Sequence, residues 1–218
     1  MIDVHSLGVA FGRTLALHEV DAHIDPGIHG LFGPNGSGKS TLLRVLAGLL
    51  RPTRGHVSLE GRVVSIKDEA LRGRIGYVGH RSGLYARLSV MENLRLFAHL
   101  HGRDGRRCEL MAEQLGLWDR RDTPAATLSA GFRRRAAVAR ALLTEPDVLL
   151  LDEPYANLDD DAAELVTQAV IAWRTPGRVA VIATHGAKKV KAYADGGMIL
   201  QHGRLIRQGR YEASGFTV

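Results

Sequence analysis

Gly33-Pro34-Asn35-Gly36-Ser37-Gly38-Lys39-Ser40-Thr41 follows the apolar run Ile28-His29-Gly30-Leu31-Phe32 and leads into Thr41-Leu42-Leu43-Arg44-Val45-Leu46, a helical run. The spacing is G-x-x-x-x-G-K-S in a strand–loop–helix setting. Glycines at 33, 36 and 38 let the backbone curl without Cβ clashes, so that successive N–H groups point inward at an anion. The helix that follows adds its positive N-terminal end. On this reading Lys39 neutralises β- and γ-phosphates, and Ser40 offers a hydroxyl to Mg²⁺. The stretch predicts a nucleoside triphosphate site.

Working outward, four short apolar runs read as buried parallel strands: 28–32, 75–78, 148–151 and 179–183. Each is followed at once by polar or turn residues able to do chemistry. These are Gly33, then His80, then Asp152-Glu153, then Thr184-His185. Ligands of open α/β sheets bind outside the carboxyl ends of the strands, so one crevice is expected to gather all four. Asp152 suits a Mg²⁺ shell, because that ion prefers hard oxygen ligands and keeps several waters. Glu153 points elsewhere and can orient, or take a proton from, an attacking water. Pro154 is expected to end the strand. His185 closes another buried strand, where an imidazole can reach a γ-phosphate.

Flanking segments are read more coarsely. Val4 to Ala10, Leu15 to Val20 and Ala22 to Ile24 are expected as separate short strands with a turn at Gly12-Arg13, and Val57 to Leu59 as another. Ser89-Val90-Met91-Glu92 is a capping box that predicts a helix stopping at Gly102. Further helices are expected from about Arg107 to Leu115, after Ser129, and from about Asp161 to Trp173, the last with Leu165, Ala169 and Trp173 on one face. Met198 to Leu200 and Arg204 to Ile206, around Gln201-His202-Gly203, predict a terminal hairpin. Ser129 is a plausible N-cap, and the N–H groups beyond it form a second anion site. The run Arg133-Arg134-Arg135 after it also fits a solvated face.

Composition bounds the answer. At 218 residues and 45% hydrophobic, the chain can bury a full core as one globular unit. No window approaches the roughly 20 apolar residues of a membrane span, and the charged start lacks the apolar core of a secretory signal, so an intracellular protein is expected. Cys108 is the only cysteine, which excludes internal disulfides and cysteine-rich zinc sites. The net charge of +6 is compatible with nucleic acid or with anionic lipid. With aromatics at 6% and no nucleic-acid motif, no specific nucleic-acid partner is expected.

Taken together, these segments resemble the nucleotide-binding subunit of ABC transporters over nearly the whole chain. Gly33 to Thr41 resembles the Walker A loop, and Val148 to Glu153 resembles Walker B with its catalytic glutamate. Leu128 to Phe132 stands where that family carries Leu-Ser-Gly-Gly-Gln. Ala156 to Asp159 matches the D-loop and His185 the switch histidine. Phe11 falls where the family stacks an aromatic under adenine, and it also fits a half-buried turn aromatic. His80 takes the place of the Q-loop glutamine and is a tentative metal ligand beside Ser40 and Asp152. Ala130 replaces the first signature glycine and Phe132 the signature glutamine. Gly79-His80 and the Leu-Ser-Ala-Gly form are also similar to the heme-exporter branch of cytochrome c maturation.

The resemblance implies an α/β fold: a P-loop NTPase (RecA-like) core, a small N-terminal antiparallel β subdomain and a helical ABC-specific subdomain. It implies one ATP-binding domain over 1–218, with core and β parts at 1–79 and 145–218 and the helical part at 80–144. It further implies ATP and Mg²⁺, capping of the bound ATP by Ser129, Ala130 and Gly131 of a second subunit, and a D-loop role for Asp159. The second subunit is a homodimer mate or a paralogue. The implied partners are integral membrane permease subunits, which place the chain peripherally on the cytoplasmic face. The implied activity is ATP hydrolysis that powers transport; the alternative is an ATP-gated ABC ATPase outside transport or a low-turnover ATP-binding switch module.

Overall fold

The computed structural model describes residues 1–212 and 215–217. From its start the chain forms β1 (Ile2–Phe11), β2 (Thr14–Ile24), β3 (Gly27–Phe32), α1 (Lys39–Leu46), β4 (Arg54–Leu59), β5 (Arg62–Val63), α2 (Glu69–Arg72) and β6 (Ile75–Val78). Helices α3 (Val90–Leu100), α4 (Arg106–Gln114) and α5 (Ala130–Leu143) follow, then β7 (Val148–Asp152) and α6 (Asp160–Trp173). The last part holds β8 (Val179–Ala183), α7 (Ala187–Lys191), β9 (Gly196–Gln201), β10 (Arg204–Glu212) and β11 (Gly215–Thr217). Internal packing groups these elements into two compact units. One comprises residues 1–75, 147–152 and 174 onward; the other comprises 76–146 and 153–173.

The first unit holds two sheets. The antiparallel one has the order β2-β1-β4-β5. Within it, Thr14 to Ile24 is one strand, not the two short strands expected with a break near Asp21. The reason is a bulge. Ser6 and Glu19 take left-handed φ values of 44° and 49°, and the Ser6 N–H donates to Asp21 Oδ1 at 2.7 Å. The extra residue resets the alternation, so Ile2 and Val4 and then Leu7 and Val9 all face inward. The turn at Gly12-Arg13 closes the β1–β2 hairpin as expected, with Phe11 opposite Thr14.

The other sheet of this unit runs β11-β10-β9-β3-β8-β7. Strand β3 is parallel to β8 and β9, and β7 is parallel to β8. Every residue of β3, β7 and β8 is buried, which is why they read as continuous apolar runs with no alternation. Strand β7 extends one residue further than expected, through Asp152, so the turn begins before Pro154. The hairpin β9–β10 turns on His202-Gly203, with φ of 48° and 74°, the two left-handed residues of a tight two-residue hairpin. The short helices α2 and α7 carried too few residues for a periodic signal.

The second unit is helical. Helix α3 starts on the capping box: Ser89 Oγ accepts from the Glu92 N–H at 3.2 Å, and Glu92 Oε2 accepts from the Ser89 N–H at 2.8 Å. Asn93 is fully buried. Its Nδ2 donates to the carbonyls of Tyr85, Leu88 and Ser89, and its Oδ1 accepts from the Tyr85 N–H. That pins the 85–89 loop to α3. The buried stripe of α6 includes Ala162, Val166, Ala169, Val170 and Trp173, while Leu165 is half-buried at its edge.

The arginine run of α5 is not a solvated face. Arg134 and Arg135 are buried. Arg134 donates to Gly79 O at 2.8 Å, Arg135 to Leu115 O at 2.6 Å and Gly116 O at 2.8 Å, and Arg140 to Tyr77 O at 2.8 Å. Arg134 and Arg135 satisfy carbonyls outside the strands and Arg140 one in β6, which offsets the desolvation that pushes the Arg135 and Arg140 pKa values down.

Candidate functional site

In the first unit the carboxyl ends of three parallel strands lie level. Ala183 of β8 pairs with Leu31 of β3 on one side and with Asp152 of β7 on the other. The residues that follow therefore leave one edge of the sheet together: Gly33 to Thr41 after β3, the Asp152 carboxylate at the end of β7, and Thr184-His185 after β8. Thr184 is buried. Its N–H donates to Leu31 O at 3.1 Å, and its Oγ1 accepts from the Gly186 N–H at 3.0 Å. That small turn sets the exposed His185 at the strand exit, a positioning role that was not read from the sequence.

The loop between β3 and α1 is a backbone-lined hollow held from behind by the β9–β10 hairpin. Gly33 has φ of 149°, and a Cβ there would stand 2.0 Å from Leu200 O. Gly38 has φ of 105°, and its Cβ would lie 2.7 Å from Ala16 O. Gly36, at φ 77°, has open space around it and needs glycine for its dihedral alone. The Gly203 N–H donates to Ser37 O at 3.0 Å and so ties hairpin to loop. The buried Ser37 hydroxyl has no hydrogen-bond partner.

Helix α1 starts without any side-chain cap. Its N-cap is Gly38, and no acid stands in its first turn. Its opening N–H groups have no acceptor within the helix, and they face the mouth of the loop as an anion site does. Lys39 is 6% exposed, and its ammonium donates to Gly33 O at 2.7 Å and Pro34 O at 3.0 Å. A buried cation held by two loop carbonyls is poised to exchange one for a phosphate oxygen. Ser40 is exposed beside it, whereas Asp152 is 5% exposed. One hydroxyl and one carboxylate fit Mg²⁺, which takes most of its shell from phosphate and water oxygens. They do not make a self-sufficient metal cage. Among the described residues no group of three or more His, Cys, Asp or Glu side chains is placed to hold an ion. Phe11, at the tip of the β1–β2 hairpin, is 48% exposed, which fits a half-buried turn aromatic as well as a ring open to stacking.

The second unit holds the other residues singled out from sequence. Ser129 is the N-cap of α5, its Oγ accepting from the Phe132 N–H at 3.3 Å. Ala130 is exposed at the helix start. Gly131 lies against the 153–158 turn: a Cβ there would stand 2.8 Å from Asn157 O. Phe132, in the place of the signature glutamine, has the Arg135 guanidinium 4.3 Å from its ring centroid. Glu153 and Asn157 both take left-handed φ, 50° and 61°, so the chain reverses sharply straight after β7. Asp159 Oδ1 accepts from the Ala162 N–H at 2.8 Å and so caps α6. His80 is exposed.

The family model for the ABC transporter matches residues 17–156. The chain is 40% identical over 190 residues to the cytochrome c biogenesis ATP-binding export protein CcmA of Xanthomonas axonopodis pv. citri (strain 306), covering 86% of this chain and 87% of that one. It is 37% identical over 204 residues to the daunorubicin resistance ATP-binding protein DrrA3 of Streptomyces coeruleorubidus, covering 91% of this chain and 65% of that longer protein. A bacterial ABC transporter cassette solved as a dimer superposes with a TM-score of 0.89 at 25% identity, covering 98% of this chain and all of that one.

Proposed function

The chain belongs to the ABC transporter family, a family of ATPases, as an ATP-binding subunit, and from that premise we propose that it hydrolyses Mg-ATP within a pair of such subunits to drive a membrane-embedded permease. The observation that carries this reading is the level exit of β3, β8 and β7, which sets the uncapped α1 start, Asp152 and His185 on one sheet edge. ATP enters with its triphosphate on Gly33 to Thr41 and its adenine against Phe11. Lys39 leaves the carbonyls of Gly33 and Pro34 to meet the β- and γ-phosphates. When bound, Mg²⁺ supplies charge neutralisation at those oxygens, with Ser40 and Asp152 as its protein ligands and His80 near its shell.

Glu153 aligns the attacking water and accepts its proton, and His185 contacts the γ-phosphate. Ser129, Ala130 and Gly131 of a second subunit close over the same triphosphate, with Asp159 beside them. Two helix N-termini then hold one anion. No helix among the described residues is long and apolar enough to cross a membrane. On the proposed reading the permease is a separate chain, and this subunit sits peripherally on the cytoplasmic face. Gly79-His80 and Leu128 to Gly131 favour the cytochrome c maturation branch over drug export.

The test is Glu153→Gln. Mg-ATP affinity is expected to stay within about threefold, while phosphate release falls by roughly 10²- to 10⁴-fold, the usual contribution of a general base. In saturating Mg-ATP the variant is expected to elute as a dimer on size-exclusion chromatography. A monomer peak under those conditions sinks the paired arrangement, and undiminished phosphate release sinks the role of Glu153.

A further inference from the structure

A further concavity in the first unit is separate from the phosphate loop. It is a groove of about 670 Å³ beside the end of α1 and the β4–β5 hairpin. Val45 and Val57 are buried and Leu50 half-buried along it, while Val63 and Ile66 reach the surface 52% and 45% exposed. Arg51, Arg54 and Lys67 also line it, and among the described residues none of the three forms an ion pair or a side-chain hydrogen bond. No acidic residue lines the groove.

Several other basic side chains of this unit face acids: Arg62 pairs with Asp68, Arg74 with Glu60 and Asp147, Arg174 with Asp195, and Arg210 with Asp25. Here three cations share one groove with exposed aliphatic side chains and no acid among the groove's described lining. Self-repulsion of like charges next to open apolar surface is relieved by a ligand that is both acidic and apolar.

We propose that this groove docks an acidic, amphipathic peptide segment of a partner protein, with aliphatic anchors against Val63 and Ile66 and carboxylates facing Arg51, Arg54 and Lys67. A concave seat of this size accepts anchored side chains, the helix-in-groove mode, whereas a bilayer surface is met best by protruding apolar residues. The groove shares no residue with the nucleotide site, so the inference stands or falls independently of the catalytic reading.

The experiment uses the full chain and three probes: a fluorescent 14-residue peptide alternating Leu pairs with Glu pairs, the same peptide with Lys for Glu, and phosphatidylglycerol vesicles. The acidic peptide is expected to bind, to weaken with added salt, and to lose about tenfold or more in affinity with Arg51→Glu/Arg54→Glu and separately with Ile66→Ser. ATP binding by both variants is expected to match the parent, which also shows that they fold. The proposal is overturned if the acidic and basic peptides bind alike, or if the variants bind the acidic peptide as the parent does. It is equally overturned if only vesicles bind and the charge reversal releases them.

Discussion

Helices α1 and α5 both begin on small residues, yet the two starts are built differently. The start of α1 has a left-handed glycine as N-cap and no side chain on its N–H groups. The start of α5 has Ser129, which keeps one N–H for itself. Neither helix carries an acid in its first turn, nor does the five-residue α7, although α2, α3, α4 and α6 all do. A first-turn carboxylate would stabilise the helix by opposing its dipole, and it would also repel an incoming phosphate. On the proposed function, leaving it out at α1 and α5 forgoes local stability for anion binding. The difference between the caps teaches which start does more. On the same proposed function, the bare α1 start, with Lys39 beside it, serves as the main phosphate seat, and the self-capped α5 start as the lighter second contact.

The charge distribution follows the same division. Of the 29 lysines and arginines and 23 acids, 17 and 11 fall in the first unit, so the whole excess of +6 belongs to the unit with the phosphate loop. The second unit balances its charges internally. It spends several arginines on loop carbonyls rather than on ligands.

The sharpest way to break this comparison is Lys39→Ala. It removes a buried cation and its charge-assisted contacts, at about 1.5–3 kcal/mol per bond, so Mg-ATP affinity measured calorimetrically is expected to drop by 10²-fold or more. Unchanged affinity contradicts the cradle. Gly131→Ala comes next, because its methyl group meets Asn157 O. A loss of about 1–3 kcal/mol in urea unfolding is expected, with ATP affinity of the isolated chain preserved. A neutral result shows that α5 and the 153–158 turn do not need their close approach.

Ser129→Ala sharpens the contrast between the two caps. It is expected to cost about 1 kcal/mol, a fall of roughly 2–4 °C in melting temperature, with no change in ATP affinity for the single chain. A matching loss of monomer ATP affinity overturns the division into main and second contacts.

The smallest effect concerns His29 in β3, upstream of the loop. Burial pushes its pKa down, and its Nε2–H donates to Asp25 O at 2.9 Å. The neutral ring is favoured in the folded state, so its stabilising contribution is complete above the unfolded pKa of about 6.5 and is lost as pH falls below it. Between pH 7.5 and 5.5 the parent's urea midpoint is expected to fall more steeply than that of His29→Gln. Parallel slopes contradict the shift.

Local chemistry was legible from the chain alone. The uninterrupted apolar runs of β3, β7 and β8, the capping box at Ser89 and the turn at His202-Gly203 each rest on neighbours in sequence. Period and turn dihedrals are properties of a few consecutive residues. The glycine spacing at 33, 36 and 38 was equally readable, and so was the expectation that the residues after those strands share a sheet edge.

Tertiary structure alone decided the rest. It set Leu200 O where a Gly33 side chain would go and buried Arg134 and Arg135 against loop carbonyls. It inserted the bulge that makes β2 continuous, and it left Arg51, Arg54 and Lys67 without partners among the described residues beside an apolar groove. Such contacts join residues far apart along the chain. Residue type tells what a side chain can bond to, but only the folded backbone determines which distant group arrives within reach.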